Sequence, residues 1–418
     1  MKILFLTDSW FPNMTTNAIC VKNIAAELIA EGHKVYVCAY GDSDQPTEYY
    51  GIKFSYIKPS FARRFLNAAQ YKYKRGVKSK LCGIIGKSLN RLRRIVLLPF
   101  YPIVSFSVPR RWLRKTNDLI VSEGIETVVN VACPDESFYA GLLIKSKHHD
   151  VKWIVYNIDA GTNILKGTSF ECIKRLLQRK AVNWENRILK QADKIIVMEG
   201  HSSYYKNILS DDNRNKLNVA DVPLLPNMND FGSTIIKKEA RSVQTIVYTG
   251  NMNGIYYDPK PLCDLFVEYC LIRPAELHLY GPSTHSDYLQ KIMEEHNNIV
   301  WHGIVSHDDV MAIQSEADVL VYYKCAALDS VSGKLFEYIL QAKPIVYLGP
   351  SNDINANRLS KYKHGLALNI KDSAISNAKM MNCFFNDKVR GESVTKAEIE
   401  KSYSRCLPKT TAEIILKQ

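Results

Sequence analysis

The sequence predicts an α/β protein made of two doubly wound domains. Three observations carry this reading. Apolar, strand-like runs alternate with amphipathic helical stretches, the alternation is interrupted once near the middle, and 418 residues are too many for one ordinary core. With 46% hydrophobic and 23% charged residues, the composition is that of a folded soluble protein.

The chain opens on the strand "KILFLT", whose apolar run stops at Thr7 and Asp8. That run is too short for a signal-peptide core or a membrane span, so a cytosolic start is expected. Residues 17 to 31 predict a helix, with Val21, Ile24, Ala25 and Leu28 on one face and Gly32 as the stop. Further strands read as "KVYVCAY", "IKFSYI", "TVVNVAC", "KWIVYNID" and "KIIVM", with a longer helix over roughly 170 to 191 between the last two. These define an N-terminal domain over 1–228. Apolar content then drops, as in an interdomain linker. A second domain over 243–394 repeats the pattern with "TIVYTG", "ELHLYG", "IVWHGI", "DVLVYY" and "PIVYLG". The last stretch, 395–418, is helical in character and is expected to cross back to the N-terminal domain.

The formal charge of +13 is concentrated in one place. Between Ser60 and Asn117 there are 15 Lys or Arg and no Asp or Glu, which leaves 40 basic against 42 acidic residues elsewhere. The same segment holds "IVLLPFYPIVSFSV", an apolar run broken by Pro99 and Pro102 and shorter than a spanning helix. Two readings stand: a solvated basic helix packed on a core strand, or a surface for an anionic bilayer. Nucleic acid is not an expected partner, because no recognition fold or aromatic platform accompanies the charge.

The ten cysteines show neither C-x-x-C pairs nor zinc-finger spacing, so most are read as small buried apolar groups in a reducing compartment. No G-x-G-x-x-G follows the first strand and no G-x-x-x-x-G-K-[ST] occurs, which disfavours NAD and P-loop chemistry.

The most informative stretch is "DSVSGKLFEYILQAKPIVYLG", 329–349. It reads as a helix capped by Ser332 and followed by a strand, but Gly333 and Lys334 occupy a first turn where the helix dipole favours acids. A bound diphosphate would suit both residues: the amides donate and Lys334 neutralises. Glu337, one turn on, lies on the same side and is placed to accept from ribose hydroxyls. The plainer reading is an exposed Lys–Glu pair contributing a few tenths of a kcal/mol.

These residues resemble the nucleotide-sugar signature of GT-B glycosyltransferases, in particular the bacterial surface-polysaccharide branch of glycosyltransferase family 4 (group 1), with its S-x-K-x-x-E-Y-x-x-x-x-K-P-I pattern. The resemblance implies two Rossmann-like domains facing a cleft, the first binding the acceptor and the second the donor. It implies that Glu337 holds the ribose, while Asp329, in place of the usual Glu, contacts the transferred sugar. "IVYTGNMN" resembles the donor-domain glycine loop, which puts Gly250 and Asn251 near the phosphates; Lys260 would supply the positive charge of the Arg that many relatives carry at 251. Asp135 and Glu136 in "NVACPDESFY" and Asp159 at the end of "KWIVYNID" are the catalytic candidates on the acceptor side, with Asp135 and Asp159 ranked together; either could instead cap the following helix.

The activity implied is a retaining transfer of a hexose or N-acetylhexosamine from a UDP- or GDP-type sugar to a lipid-linked or saccharide acceptor, for capsule, exopolysaccharide or O-antigen. No metal and no cofactor are expected, since helix amides and a lysine stabilise the leaving diphosphate. The acidic "DSD" at 42–44 is read as a polar turn. The expected location is the inner face of the cell membrane. Two alternatives remain: a nucleotide-sugar epimerase of similar fold, and a non-catalytic nucleotide-sugar-binding protein.

Overall fold

A computed structural model describes residues 1–9, 15–41, 47–69, 77–103, 105–131, 136–158, 171–225, 242–326, 332–387 and 394–417. The chain divides into two compact units, Met1–Pro223 with Arg405–Gln418, and Leu224–Ser404.

Unit 1 is built on an eight-stranded sheet. Its strands are β1 (Lys2–Ser9), β2 (Lys34–Tyr40), β3 (Glu48–Tyr49), β4 (Ile52–Ile57), β5 (Thr127–Val131), β6 (Lys152–Asn157), β7 (Lys194–Met198) and β8 (Leu217–Ala220). The order is β3-β4-β2-β1-β5-β6-β7-β8. All pairs are parallel except the short β3 against β4. Helices cover both faces, so the central strands are continuous apolar runs: every residue of "TVVNV" is buried. The first helix, Thr16–Ala30, starts where the Thr15 hydroxyl accepts the Ala18 N–H, and it buries Val21, Ile24, Ala25 and Leu28 as predicted. Gly32, at φ +84°, turns the chain into β2.

The C-terminal stretch differs from the single helical run expected from the sequence. Pro408 cannot donate within a helix and instead starts a new one. The result is two helices, Lys396–Ser402 in unit 2 and Pro408–Leu416 in unit 1, the latter packed on Thr16–Ala30.

Within the basic segment, the helix Val77–Val96 has an unusual orientation. On its inner side Gly86 allows a close approach: a Cβ there would lie 2.8 Å from Leu66 Cγ and 3.1 Å from the Ala62 carbonyl of the helix Phe61–Asn67. Its apolar side faces outward, with Ile84 62%, Leu92 59% and Ile95 63% exposed. The sequence-based alternative of a helix packed on a core strand is therefore corrected, because the neighbour is another helix and the apolar stripe stays in solvent. Among the described residues no helix is long and apolar enough to cross a membrane. The cysteine reading also needs correction: nine described cysteines are free thiols, but only Cys20, Cys38, Cys263 and Cys406 are buried, and Cys172 and Cys383 are exposed.

Unit 2 holds a six-stranded parallel sheet of β9 (Gln244–Thr249), β10 (Ala275–Tyr280), β11 (Ile299–Gly303), β12 (Val319–Tyr323), β13 (Ile345–Gly349) and β14 (Gly365–Asn369). The order is β11-β10-β9-β12-β13-β14. Strand order reverses between β9 and β12, and at such a switch point the outgoing loops diverge and leave a crevice at the carboxyl ends. Most of the stretch read as a linker lies outside the described residues.

Candidate functional site

The two loops that diverge at this point carry the motif residues. Gly250 and Asn251 follow β9, and the helix Gly333–Leu340 follows β12. The helix start is bare: Ser332 has the extended backbone of an N-cap, yet makes no side-chain cap, and the first turn contains no acid. The expected Ser332 hydroxyl cap is thus not formed. The Ser332 N–H donates to Asn355 Oδ1 at 2.9 Å. Helix amides without an internal partner form a concentration of positive potential.

Lys334 adds to it. A Cβ built on Gly250 would lie 2.8 Å from both Cε and Nζ of Lys334, so the ammonium rests directly above that glycine. The side chain is largely buried, and burial lowers its pKa below the ordinary lysine value, partly offset by the carboxylate of Glu337. Lys334 and Glu337 nevertheless form no ion pair within 4 Å, so the plain Lys–Glu pair allowed by the sequence is not made. A largely buried cation and an acid one turn apart, both without a fixed partner among the described residues, are available to a ligand.

Gly333 points the same way. Among the described residues, a Cβ there would meet only Leu224 Cδ1, at an ordinary 3.5 Å. Glycine in a helix costs about 1 kcal/mol relative to alanine. Packing against the described residues does not require it, whereas close approach of a ligand to the backbone would.

The support around these residues was not read from the sequence as part of the site. Tyr338 Oη accepts the Thr249 N–H at 3.0 Å, and Gln314 Nε2 donates to Thr249 Oγ1 at 2.9 Å, which ties the helix to the end of β9. Gly281, at φ +135°, ends β10; a Cβ there would fall 1.8 Å from the Gly250 carbonyl oxygen. The Gly250 N–H donates to the Tyr280 carbonyl at 2.7 Å. Beneath the helix start, the fully buried Lys324 pairs with Asp353 at 3.0 Å. Asp353 Oδ1 in turn accepts from the backbone N–H and the side-chain amide of Asn355, each at 2.8 Å. This network fixes the side chain that holds Ser332. A glycine ending a strand and a lysine directly after one were the available signals.

Other predicted residues are less engaged. Asn251 is exposed, and its carbonyl accepts from Tyr248 Oη at 2.9 Å. Lys260 is exposed at the start of the helix Lys260–Cys270, where its backbone N–H donates to Asp258 Oδ1. Asp135, Asp159 and Asp329 lie outside the described residues, as does the "DSD" turn. Among the described residues no three His, Cys, Asp or Glu side chains are grouped to hold a metal.

Two units of parallel sheet, one with its switch point at a bare helix start, match known structures over nearly the whole chain. A glycosyltransferase from Rickettsia africae superposes with a TM-score of 0.60 at 12% identity, covering 99% of this chain and 93% of its own. The lipopolysaccharide outer core galactosyltransferase WaaB superposes at 0.59 with 10% identity, covering 99% and 98%. The fold is GT-B. A Listeria monocytogenes protein assigned as a UDP-N-acetylglucosamine 2-epimerase also shares this GT-B architecture, at 0.54 and 10% identity over 99% and 94%. No family model matches the sequence, and no curated protein matches it either.

Proposed function

We propose that the protein is a retaining glycosyltransferase of the family 4 type, transferring a hexose or N-acetylhexosamine from a nucleoside-diphosphate sugar to a lipid-linked saccharide of a bacterial surface polysaccharide. The observation that carries the reading is the largely buried, unpaired Lys334 ammonium above Gly250 at an uncapped helix start. A diphosphate there would accept from the Gly333 and Lys334 amides and take Lys334 as counter-ion, with Glu337 accepting from the ribose.

In the transfer, the bond from the sugar's anomeric carbon to the diphosphate breaks, and a bond from that carbon to the acceptor oxygen forms. The acceptor hydroxyl gives its proton to the acceptor-side carboxylate, Asp135 or Asp159, and negative charge accumulates on the departing diphosphate. Preorganised amides and an ammonium stabilise that charge most where water is excluded, so binding energy is expressed as the leaving group departs. Asp329 as the sugar contact, Asp135 or Asp159 on the acceptor side, and Gly250, Asn251 and Lys260 around the phosphates complete the proposal.

The outward apolar face of Val77–Val96, flanked by Lys80, Lys87, Arg91 and Arg94, supports work at an anionic bilayer. A second copy is a poor occupant for that face, since like charges would meet across it. The test is to incubate the protein with a panel of nucleotide sugars and a bacterial lipid extract and to follow released nucleoside diphosphate. Release that requires lipid supports transfer; conversion of the nucleotide sugar without lipid identifies an epimerase, and binding without turnover a non-catalytic protein.

A further inference from the structure

We propose that unit 1 carries a second anion site, formed by Arg63, Arg93 and Arg111, for the phosphoryl group of a lipid phosphate. Its assignment to the acceptor rests on the glycosyltransferase reading; the binding itself does not.

Three separate helices bring these guanidinium groups around Tyr40, at the carboxyl end of β2. Arg63, on the helix Phe61–Asn67, lies over the Tyr40 ring at 4.7 Å. Trp112 stacks on the same ring at 5.1 Å, and its neighbour Arg111, on the helix Ser107–Glu123, acts electrostatically on both Tyr40 and Glu136. Arg93, from Val77–Val96, reaches Glu136 Oε1 at 3.7 Å and donates to Ser60 Oγ at 3.3 Å.

Among the described residues the charges do not balance. Three guanidinium groups share Glu136 and, near Arg63, Asp8, whose carboxyl burial pushes toward its neutral form against the pull of the Thr15 hydroxyl and Arg63. The hydrogen bonds do not balance either. Nε of Arg93 and Nε of Arg111 are buried with no acceptor, and Arg111 makes no ion pair with any described residue. A buried charged donor without an acceptor is costly, so two at one place point to an acceptor that arrives with a ligand.

A phosphoryl group offers several charged oxygens and can meet more than one guanidinium fork, whereas a lone carboxylate matches one. The lipid source follows from Arg93. It projects from the inner side of a helix whose opposite side exposes Leu81, Ile84, Leu92 and Ile95, so the element that supplies Arg93 to the site also offers the apolar face that would hold the protein at a bilayer, where a lipid phosphate is found.

The experiment titrates the full chain, at low salt and without nucleotide, with dihexanoyl phosphatidic acid below its micelle concentration, and in parallel with inorganic phosphate. Phosphatidic acid is expected to bind, tenfold or more tighter than inorganic phosphate. Arg111→Gln should weaken it at least tenfold, Arg111→Lys less, and Lys334→Ala less than twofold. Arg93→Gln provides a second reading should Arg111→Gln fold poorly. Equal binding of inorganic phosphate would overturn the lipid source. Unchanged binding in both glutamine variants, with native near-ultraviolet dichroism, or loss of binding in Lys334→Ala instead, would overturn the site. Failure to find sugar transfer would leave these outcomes untouched.

Discussion

The Lys334 ammonium lies 2.8 Å from where a Cβ on Gly250 would stand, so the lysine on one loop and the missing side chain on the other form a single feature. Residues 84 apart in sequence thus explain each other: Gly250 leaves room for Lys334, and Lys334 gives that room a charge.

Gly250→Ala should therefore act through Lys334. The added methyl would also lie 2.6 Å from Tyr248 Oη, and the flexible lysine end is the part that can yield. Affinity for a nucleoside diphosphate should fall about tenfold, a loss of about 1.4 kcal/mol. The melting temperature should move by only a few degrees. Calorimetric titration beside a thermal melt checks both; unchanged affinity would separate Gly250 from the site.

Gly333→Ala should separate stability from binding in the opposite sense. An alanine fits the apo structure, so the helix gains up to about 1 kcal/mol. Its methyl stands where a phosphate would approach the amides, so affinity should drop while the melting temperature holds or rises. A variant both more stable and equally tight would show that the ligand does not approach here.

Nucleotide affinity should also decline with pH in a defined direction. Burial holds the Lys334 pKa of the free protein below the ordinary lysine value, and a bound diphosphate would raise it again. Affinity is then full while Lys334 is protonated and falls as pH rises through the lowered free-protein pKa, earlier in the alkaline range than for an ordinary lysine. Titrations at a series of alkaline pH values should show this decline in wild type and none in Lys334→Met.

Flotation with anionic vesicles tests the outward helix face. Leu92→Glu with Ile95→Glu removes two apolar groups and adds two charges of the wrong sign, so bound protein should fall at least tenfold. Both positions are exposed, so the melting temperature should hold. Equal flotation by the double variant would remove the bilayer from the account.

The architecture was legible because parallel strands covered on both faces are written as continuous apolar runs, and "TIVYTG", "DVLVYY" and "PIVYLG" appear close to where they were read. The misses have local causes. β3 is two residues long, β8 is only partly buried, and β14 opens on Gly365, so none shows an apolar run. At the site, Gly333 and Lys334 stood out because they break helix-start preference, and Glu337 because it lies one turn on from Lys334 on the same side. The partners Asn355, Asp353 and Lys324 did not, because an isolated polar residue in sequence gives no sign of a buried ion pair. The outward orientation of Val77–Val96 was equally hidden: amphipathicity reveals an apolar face and not which way it points.

The most direct test is calorimetric titration of wild type and Lys334→Met with UDP and GDP at neutral pH. Wild type should bind one of them at micromolar or tighter affinity, and Lys334→Met should lose at least a hundredfold while melting no lower. Equal affinity in the two proteins, or no nucleotide binding by a folded wild type, would contradict the account.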